Sequence, residues 1–417
     1  MKNRFPGTAR LWSCVGLFFV AAFLSPCVTP PSLRPIERRA APVPLHLPRQ
    51  VWALLSALEN KPECLVQLSP TGSQAPRQIS FRRQGRQVVC SDGRLGPSLT
   101  LNLRAPFEIN GRQYLGNVKV LPHKKGGLRV LVEVALEHYV EGVVSAELPL
   151  WSSLPAELQA QSIAVRTYTV AALTRQGLGD SGFLWDGVQD QAFHGNYRPG
   201  PSRGEQSAAI RLRRAVEATR GQVLMQGEGL LDVRYHASCG GYTADRATIF
   251  PGTKSSAIVA CAPCQKRTVQ EAGTPAERRP VTWKLRLSTP ECLTLVHRWG
   301  LGKRLLKFGP AKLDAGGRWQ TVRLIGDRRT ADVPLDLMRK HLGYGRFKSG
   351  RILSVSPASG TPNAEGLTLT GVGRGHGVGL CQEGIHDYAA QGMGSQGILE
   401  HYYPGSRVQR LGHDPRY

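Results

Sequence analysis

The chain is 417 residues long and 41% hydrophobic, enough to bury a sizeable core and to form two or three domains. Lys and Arg total 54 against 30 Asp and Glu, and the formal net charge of +24 favours anionic partners: nucleic acid, anionic lipid or acidic wall polymers. The basic residues are scattered, with no zinc-finger spacing, no aromatic RNA-binding motif and no long basic tail, so only charge speaks for nucleic acid and no such partner is assigned.

Lys2, Arg4 and Arg10 precede an apolar run from Leu11 to Leu24, the pattern of an export signal. The run is shorter than the roughly 20 residues that span a bilayer comfortably. No small-x-small cleavage site follows it. Leu24-Ser-Pro-Cys27 is similar to a lipoprotein signal except for Pro26. Cleavage, retention as a membrane anchor and lipidation stay open, and each exports the rest of the chain to the periplasm or cell envelope. Pro26 to Pro48 reads as an extended Pro/Arg-rich linker. Nine cysteines suit an exported protein with some disulfides; Cys14 and Cys27 belong to the signal region, which leaves seven.

Val51 to Asn102 reads as small β structure, with Cys64 and Cys90 placed to pair across two strands. Phe107 to Leu136 reads as three strands, with Asn110-Gly111 as a hairpin turn and Lys124 to Gly127 as a second turn. The apolar run from Val130 to Leu136 then feeds a short turn. Glu147 follows, between Ala146 and Leu148-Pro149. A carboxylate among apolar neighbours has a reason to carry a raised pKa, which a general acid near neutral pH needs; the plain alternative is a Glu in a surface loop.

Leu154 to Gln176 is the strongest predicted helix, capped by Ser152 or Ser153, with Pro155 in its first turn and Gly177 and Gly179 ending it. Its side chains leave few polar faces, so it should be buried. Arg166 inside it then needs a partner, either Glu147 itself or another carboxylate in a structural ion pair. Gly187 to Gly195 is Gln-rich; its Gln189, Asp190 and Gln191 can hydrogen-bond a ligand or simply form a polar strand edge. Asn196 to Ser207 is a loop, and Ala208 to Thr219 a basic helix.

His236, Cys239, Cys261 and Cys264 form an HxxC and CxxC set. Such a set can hold zinc, but an oxidising compartment favours a disulfide from Cys239 to Cys261 or Cys264. Gly240-Gly241 permits close backbone approach. Lys266 to Arg279 is a charged loop. Trp283 to Leu287 and Trp319 to Ile325 are strands; Pro290 to Trp299, bearing Cys292, and Leu335 to Leu342 are helices. A glycine-dense block follows, Gly371 to Gly379, with His376 inside it and Gln382 just beyond. His376 is a candidate to orient Glu147 or to touch a ligand.

The string Gly142-Val-Val-Ser-Ala-Glu147-Leu-Pro149, with Pro155-Ala-Glu-Leu-Gln-Ala-Gln-Ser-Ile-Ala-Val-Arg166-Thr-Tyr168, resembles the stage II sporulation protein D family, which includes amidase enhancers. Gly373-Arg-Gly-His376-Gly-Val-Gly-Leu-Cys-Gln382 is similar to that family's second signature, and Ile398-Leu-Glu-His-Tyr-Tyr-Pro-Gly405 to its ending. Two motifs in the right order are far more specific than one. The resemblance covers roughly 107 to 408.

It implies a peptidoglycan lytic transglycosylase with Glu147 at the position of the catalytic acid, a glycan groove bordered by the Gln-rich segment, and a possible cell-wall amidase as partner. Arg166, Tyr168, Gln189, Gln191, Gly240, Gly241, His376 and Gln382 are the candidate substrate-binding residues, and no cofactor or metal is assigned. Some relatives carry zinc on His and Cys residues between the long helix and the Gln-rich segment; this chain has no Cys there. Cys381 stands where many relatives have Ser, and Glu383 and Ile385 replace aromatic and small residues, which puts an aromatic sugar platform in doubt. The expected organisation is an α+β fold with mixed sheets: signal 1–27, linker 28–50, small β region 51–104, and a catalytic domain 105–410 with an inserted segment 265–350. The competing reading is a glycan-binding or amidase-enhancing module without catalysis.

Overall fold

Alternating apolar residues make the segment Leu128–Ala135 a strand buried on its Leu128, Val130, Val132 and Val134 positions, and it is the central strand of the sheet that delivers the site. The computed structural model describes residues 46–69, 77–176, 182–187, 189–269, 281–357 and 366–413. The expected signal and nearly all of the linker lie outside these residues, as do Gly177 and Gly179.

Gln50–Leu54 and Asn117–Pro122 flank the central strand, both antiparallel to it. Leu99–Asn102 and Leu184–Trp185 complete the five-stranded sheet, the latter parallel to Gln50–Leu54. A six-stranded antiparallel sheet joins segments 63–114, and its last hairpin turns at Asn110-Gly111, with φ of 51° and 71°. Strands from 51–102 thus share sheets with strands from 107–135. In the six-stranded sheet Cys64 and Cys90 both lie opposite Phe81, on either side of it. Two strand spacings, about 10 Å, separate them. A disulfide needs Cα atoms within about 7 Å, so the expected pairing is not made.

Among the described residues nine α-helices appear, which with the sheets give an α+β fold. They are α1 (Leu136–Glu147), α2 (Pro155–Gln176), α3 (Arg203–Ala218), α4 (Arg246–Ile249), α5 (Ala262–Val269), α6 (Thr289–Arg298), α7 (Leu335–Leu342), α8 (Gln382–Ala390) and α9 (Ser395–Tyr402). The short turn expected before Glu147 is therefore a three-turn helix. Leu136, Tyr139, Val140, Val143 and Val144 form its buried stripe at helical spacing. α3 starts five residues before its predicted position, with Ser202 and Glu205 closing a reciprocal capping box. Lys266, expected in a loop, is in α5; residues 270–280 are not among those described.

α2 is buried along almost its whole length, from Glu157 to Leu173. Its N-terminus is held by Glu157, whose carboxylate accepts the Leu154 N–H at 3.0 Å and the Ser153 hydroxyl at 3.2 Å, rather than by a Ser152 or Ser153 cap. One face of α2 joins the core of the two sheets. The other, through Ala160, Ile163 and Ala164, packs on α8, α9 and a group of buried cysteines. Residues 283–369 build a separate core from two three-stranded sheets, α6 and α7. Its strand Leu367–Val372 leads into the glycine block. No helix among the described residues is long and apolar enough to cross a membrane.

Candidate active site

Glu147 is the last residue of α1 and continues the stripe of Val143 and Val144, which is why a carboxylate here is drawn half into the interior. Its Oε1 accepts the Ala192 N–H at 3.2 Å, and its Oε2 accepts Gln382 Nε2 at 3.1 Å. Burial pushes its pKa above the ordinary carboxylate value; the two donors pull the other way and do not cancel it. Gln382, 235 residues away in the chain, is the first residue of α8, so two distant motifs meet on one carboxylate.

Ala192 is presented by a loop, not by the expected Gln-rich strand. Gln191 anchors that loop from inside. Its Nε2 donates to Thr169 Oγ1 at 3.0 Å, and its Oε1 accepts the Tyr235 hydroxyl at 2.9 Å. With its amide committed to the protein interior, Gln191 holds the neighbouring Ala192 N–H in place instead of facing a ligand. Asp190 accepts the Tyr168 hydroxyl at 2.6 Å and the Trp185 N–H at 2.9 Å. Tyr168 and Asp190 thus clasp the loop to α2. Gln189 is exposed.

The loop also approaches α1 closely. A Cβ on Gly142 would lie 2.4 Å from the Gly195 carbonyl oxygen and 2.5 Å from Phe193 Cε2. Gly142→Ala should therefore gain helix propensity yet lose about 1–3 kcal/mol to overpacking, read as a lower urea midpoint. It should also displace the Ala192 N–H from Glu147.

Arg166 does not reach Glu147. Its Nε and Nη2 donate to the two oxygens of Glu137 at 3.0 and 2.5 Å, and its Nη1 to the Gln222 carbonyl at 3.1 Å, all within the core. It closes a structural ion pair and is corrected from the substrate-binding set. His376 is not a partner of Glu147 either. Its Nδ1 accepts the Val378 N–H at 3.0 Å, and its ring packs on Phe250 and His236. Burial, then the neighbouring His236, holds it well below its ordinary pKa, so it is neutral. The residue that orients Glu147 is Gln382.

Gly240 and Gly241 belong to a different place, the turn after Cys239, where the Gly241 N–H donates to Cys239 Sγ at 3.3 Å. The cysteines there are not the expected set. Cys381 takes the fourth position beside Cys239, Cys261 and Cys264. His236 stands apart, its Nδ1 3.1 Å from the Val378 carbonyl, with burial pushing its pKa down to about 3. Cys239 carries no disulfide, so neither expected bridge is present. Glu383 and Ile385 find local explanations: Glu383, with Asp387, ion-pairs with Arg267 of α5, and Ile385 is fully buried.

A cleft of about 280 Å³ opens at the end of α1, lined by Ser145 and Ala146, by His194 to Arg198, and by Arg112. Two guanidinium groups, of Arg112 and Arg198, border it. Glu147 follows Ala146 in the chain but is not itself one of the residues that line this cleft. What the sequence did not offer was the backbone donor of Ala192, because backbone donors leave no residue signature. Cys381 was visible in the glycine block and stood out only as a Ser replacement.

Residues 124–226 match the model of the family described as Stage II sporulation protein. The chain is 25% identical over 339 residues to the amidase enhancer of Bacillus subtilis, covering 72% of this chain and 45% of that protein. It is 23% identical over 281 residues to stage II sporulation protein D of Bacillus subtilis, covering 66% of this chain and 74% of that one. The corresponding protein of Bacillus amyloliquefaciens is 25% identical over 277 residues. The chain thus spans less than half the length of the amidase enhancer and about three quarters of the two sporulation proteins.

Proposed function

This chain belongs to the stage II sporulation protein D and amidase enhancer family, and on that premise we propose that it is a lytic transglycosylase of peptidoglycan glycan strands. The observation that carries the proposal is Glu147: a half-buried carboxyl with a raised pKa, held by the Ala192 N–H and by Gln382 Nε2. The protonated carboxyl donates its proton to the oxygen of the MurNAc–GlcNAc bond. The resulting carboxylate is stabilised by Gln382 Nε2 and the Ala192 N–H. It then removes the proton from the C6 hydroxyl of the muramyl residue, whose oxygen attacks C1 and closes a 1,6-anhydro ring as the C1–O bond breaks and the GlcNAc leaves with its 4-hydroxyl, carrying the first proton. One carboxyl serves both steps, so the paired carboxylates of most glycosidases are not required.

Arg112 and Arg198, which ion-pair with Asp186 at 3.3 Å and with the cleft's own Glu108 at 3.5 Å, would have to share or exchange those partners to hold the lactyl carboxylate of a muramyl residue, which is free once the stem peptide has been removed. The net charge of +24 favours an acidic wall polymer in general. The protein would act outside the cytoplasm, where that polymer lies, in sporulation or wall remodelling. A second reading, glycan binding that stimulates a wall amidase without cleavage, is favoured by the likeness to a protein named amidase enhancer.

Intact and peptide-stripped glycan strands incubated with the wild type and with Glu147→Gln separate the two. The transglycosylase releases soluble fragments with the wild type only. Equal pelleting of both proteins with no release by either would establish the binding module and overturn the enzyme.

Gln382→Leu tests the geometry. Gln382 favours the ionised form of Glu147, so its removal raises that pKa further. The limb on which kcat/KM falls with rising pH should shift to higher pH. The maximum should drop about tenfold to a hundredfold as orientation is lost.

A further inference from the structure

We infer that Cys239, Cys261, Cys264 and Cys381 bind one structural zinc ion that fixes the start of α8. The assignment stands on the cysteine geometry and does not depend on the reaction proposed above. The four Sγ atoms all lie within 4.8 Å of one another, and Cys264 and Cys381 are 3.7 Å apart. Four sulfurs at about 2.3 Å from a tetrahedral zinc are about 3.8 Å apart, so a single ion fits their centre with small side-chain adjustments. All four residues are buried. They come from three separate segments: the turn after Tyr235–His236, the start of α5 with its CxxC spacing, and the residue that caps α8.

The surroundings suit thiolates. The Cys239 N–H donates to Cys381 Sγ at 3.2 Å, the Gly241 N–H to Cys239 Sγ at 3.3 Å, and the Tyr402 hydroxyl lies 3.2 Å from Cys261 Sγ. A second observation concerns charge. Arg318 is 2% exposed, donates to the Cys239 carbonyl at 2.8 Å and has no partner for its Nε. Asp314, whose carboxylate accepts the Arg318 backbone N–H at 2.8 Å, is a nearby opposite charge. A buried cation is costly unless it is well compensated. Zinc with four thiolates carries a net charge of −2 and would add to Asp314; two disulfides would leave that to Asp314.

Four thiolates saturate zinc, so the ion has no open position for water and serves structure. Its mechanical reach is specific. Cys381 directly precedes Gln382, and the Glu383 N–H donates to the Ala237 carbonyl at 3.0 Å, so the site pins the turn from which Gln382 reaches Glu147.

The test is metal analysis of the purified chain, with thiol titration and peptide mapping. One equivalent of zinc, released in step with mercurial titration of four thiols, is expected. Cobalt replacing the zinc should give the absorption of a tetrahedral tetrathiolate in the wild-type protein, which needs no variant to fold. Cys261→Ser/Cys264→Ser should lose the zinc, while Cys292→Ser, whose sulfur lies in the separate core, should retain it. Absence of metal with disulfide-linked peptides from these cysteines, or iron in place of zinc, would overturn the assignment.

Discussion

Glu147→Gln is expected to lower the rate of glycan release by about 10²–10⁴-fold, the range that a positioned general acid contributes. The amide keeps the shape: its oxygen can accept the Ala192 N–H, and its NH2 can donate to the Gln382 side-chain oxygen once that amide is flipped, so folding and glycan pelleting should be retained. It cannot give up a proton to the glycosidic oxygen, nor take one from the C6 hydroxyl. Both steps are lost together because one carboxyl performs both. Wild-type kcat/KM should fall with rising pH along a limb set by Glu147, at a pH above its ordinary 4.5 because burial disfavours the charged form. Arg166→Met, by contrast, should leave that limb where it is in whatever protein remains folded.

The largest effect on stability is expected at Arg166. Its guanidinium makes a two-pronged contact with Glu137, and both are buried between α1, α2 and the strand at Gln222. Arg166→Met removes the counter-charge and strands a carboxylate in the interior, a loss of about 3–5 kcal/mol. Urea unfolding should show it as a large drop in midpoint. Arg166→Met combined with Glu137→Met should recover most of the loss, because the cost is the uncompensated charge more than the missing bond. A double variant as unstable as the single one would mean that the Arg166 bond to the Gln222 carbonyl matters more than the pair.

Where local signals agreed, the chain could be read directly. The Leu154 to Gln176 helix, the Asn110-Gly111 hairpin, the strands at Trp283 and Trp319 and the helix at Leu335 all form where their patterns put them, within a residue or two. α1 was missed because Gly142 and the β-branched pair Val143-Val144 lower its helix propensity. Packing on α2 and α3 overrides that, and Gly142 is kept for its close contact with Phe193 and Gly195.

The Gln-rich segment was expected to be a strand only through the family resemblance. In the fold its side chains bond to α2, to Tyr235 and to the Trp185 N–H, and among the described residues its backbone pairs with no strand. The contact between Gln382 and Glu147 was not legible, since nothing local sets which polar residue of the glycine block meets α1. Cys381 joined the cysteine set for the same reason: the strand pairing of Tyr235–His236 with Leu380–Cys381 brings it there, across 142 residues. His236 carried the better metal-ligand spacing on paper, but its ring points to the Val378 carbonyl.

The most direct test of the proposed chemistry is the mass of the new ends made by the wild type on peptide-stripped glycan strands. Intramolecular attack by the C6 hydroxyl gives 1,6-anhydro-MurNAc ends, lighter by one water than reducing ends, and Glu147→Gln should make none. Reducing MurNAc ends would mean that water is the nucleophile, and anhydro ends formed equally by Glu147→Gln would place the acid elsewhere; either result would contradict the mechanism drawn here.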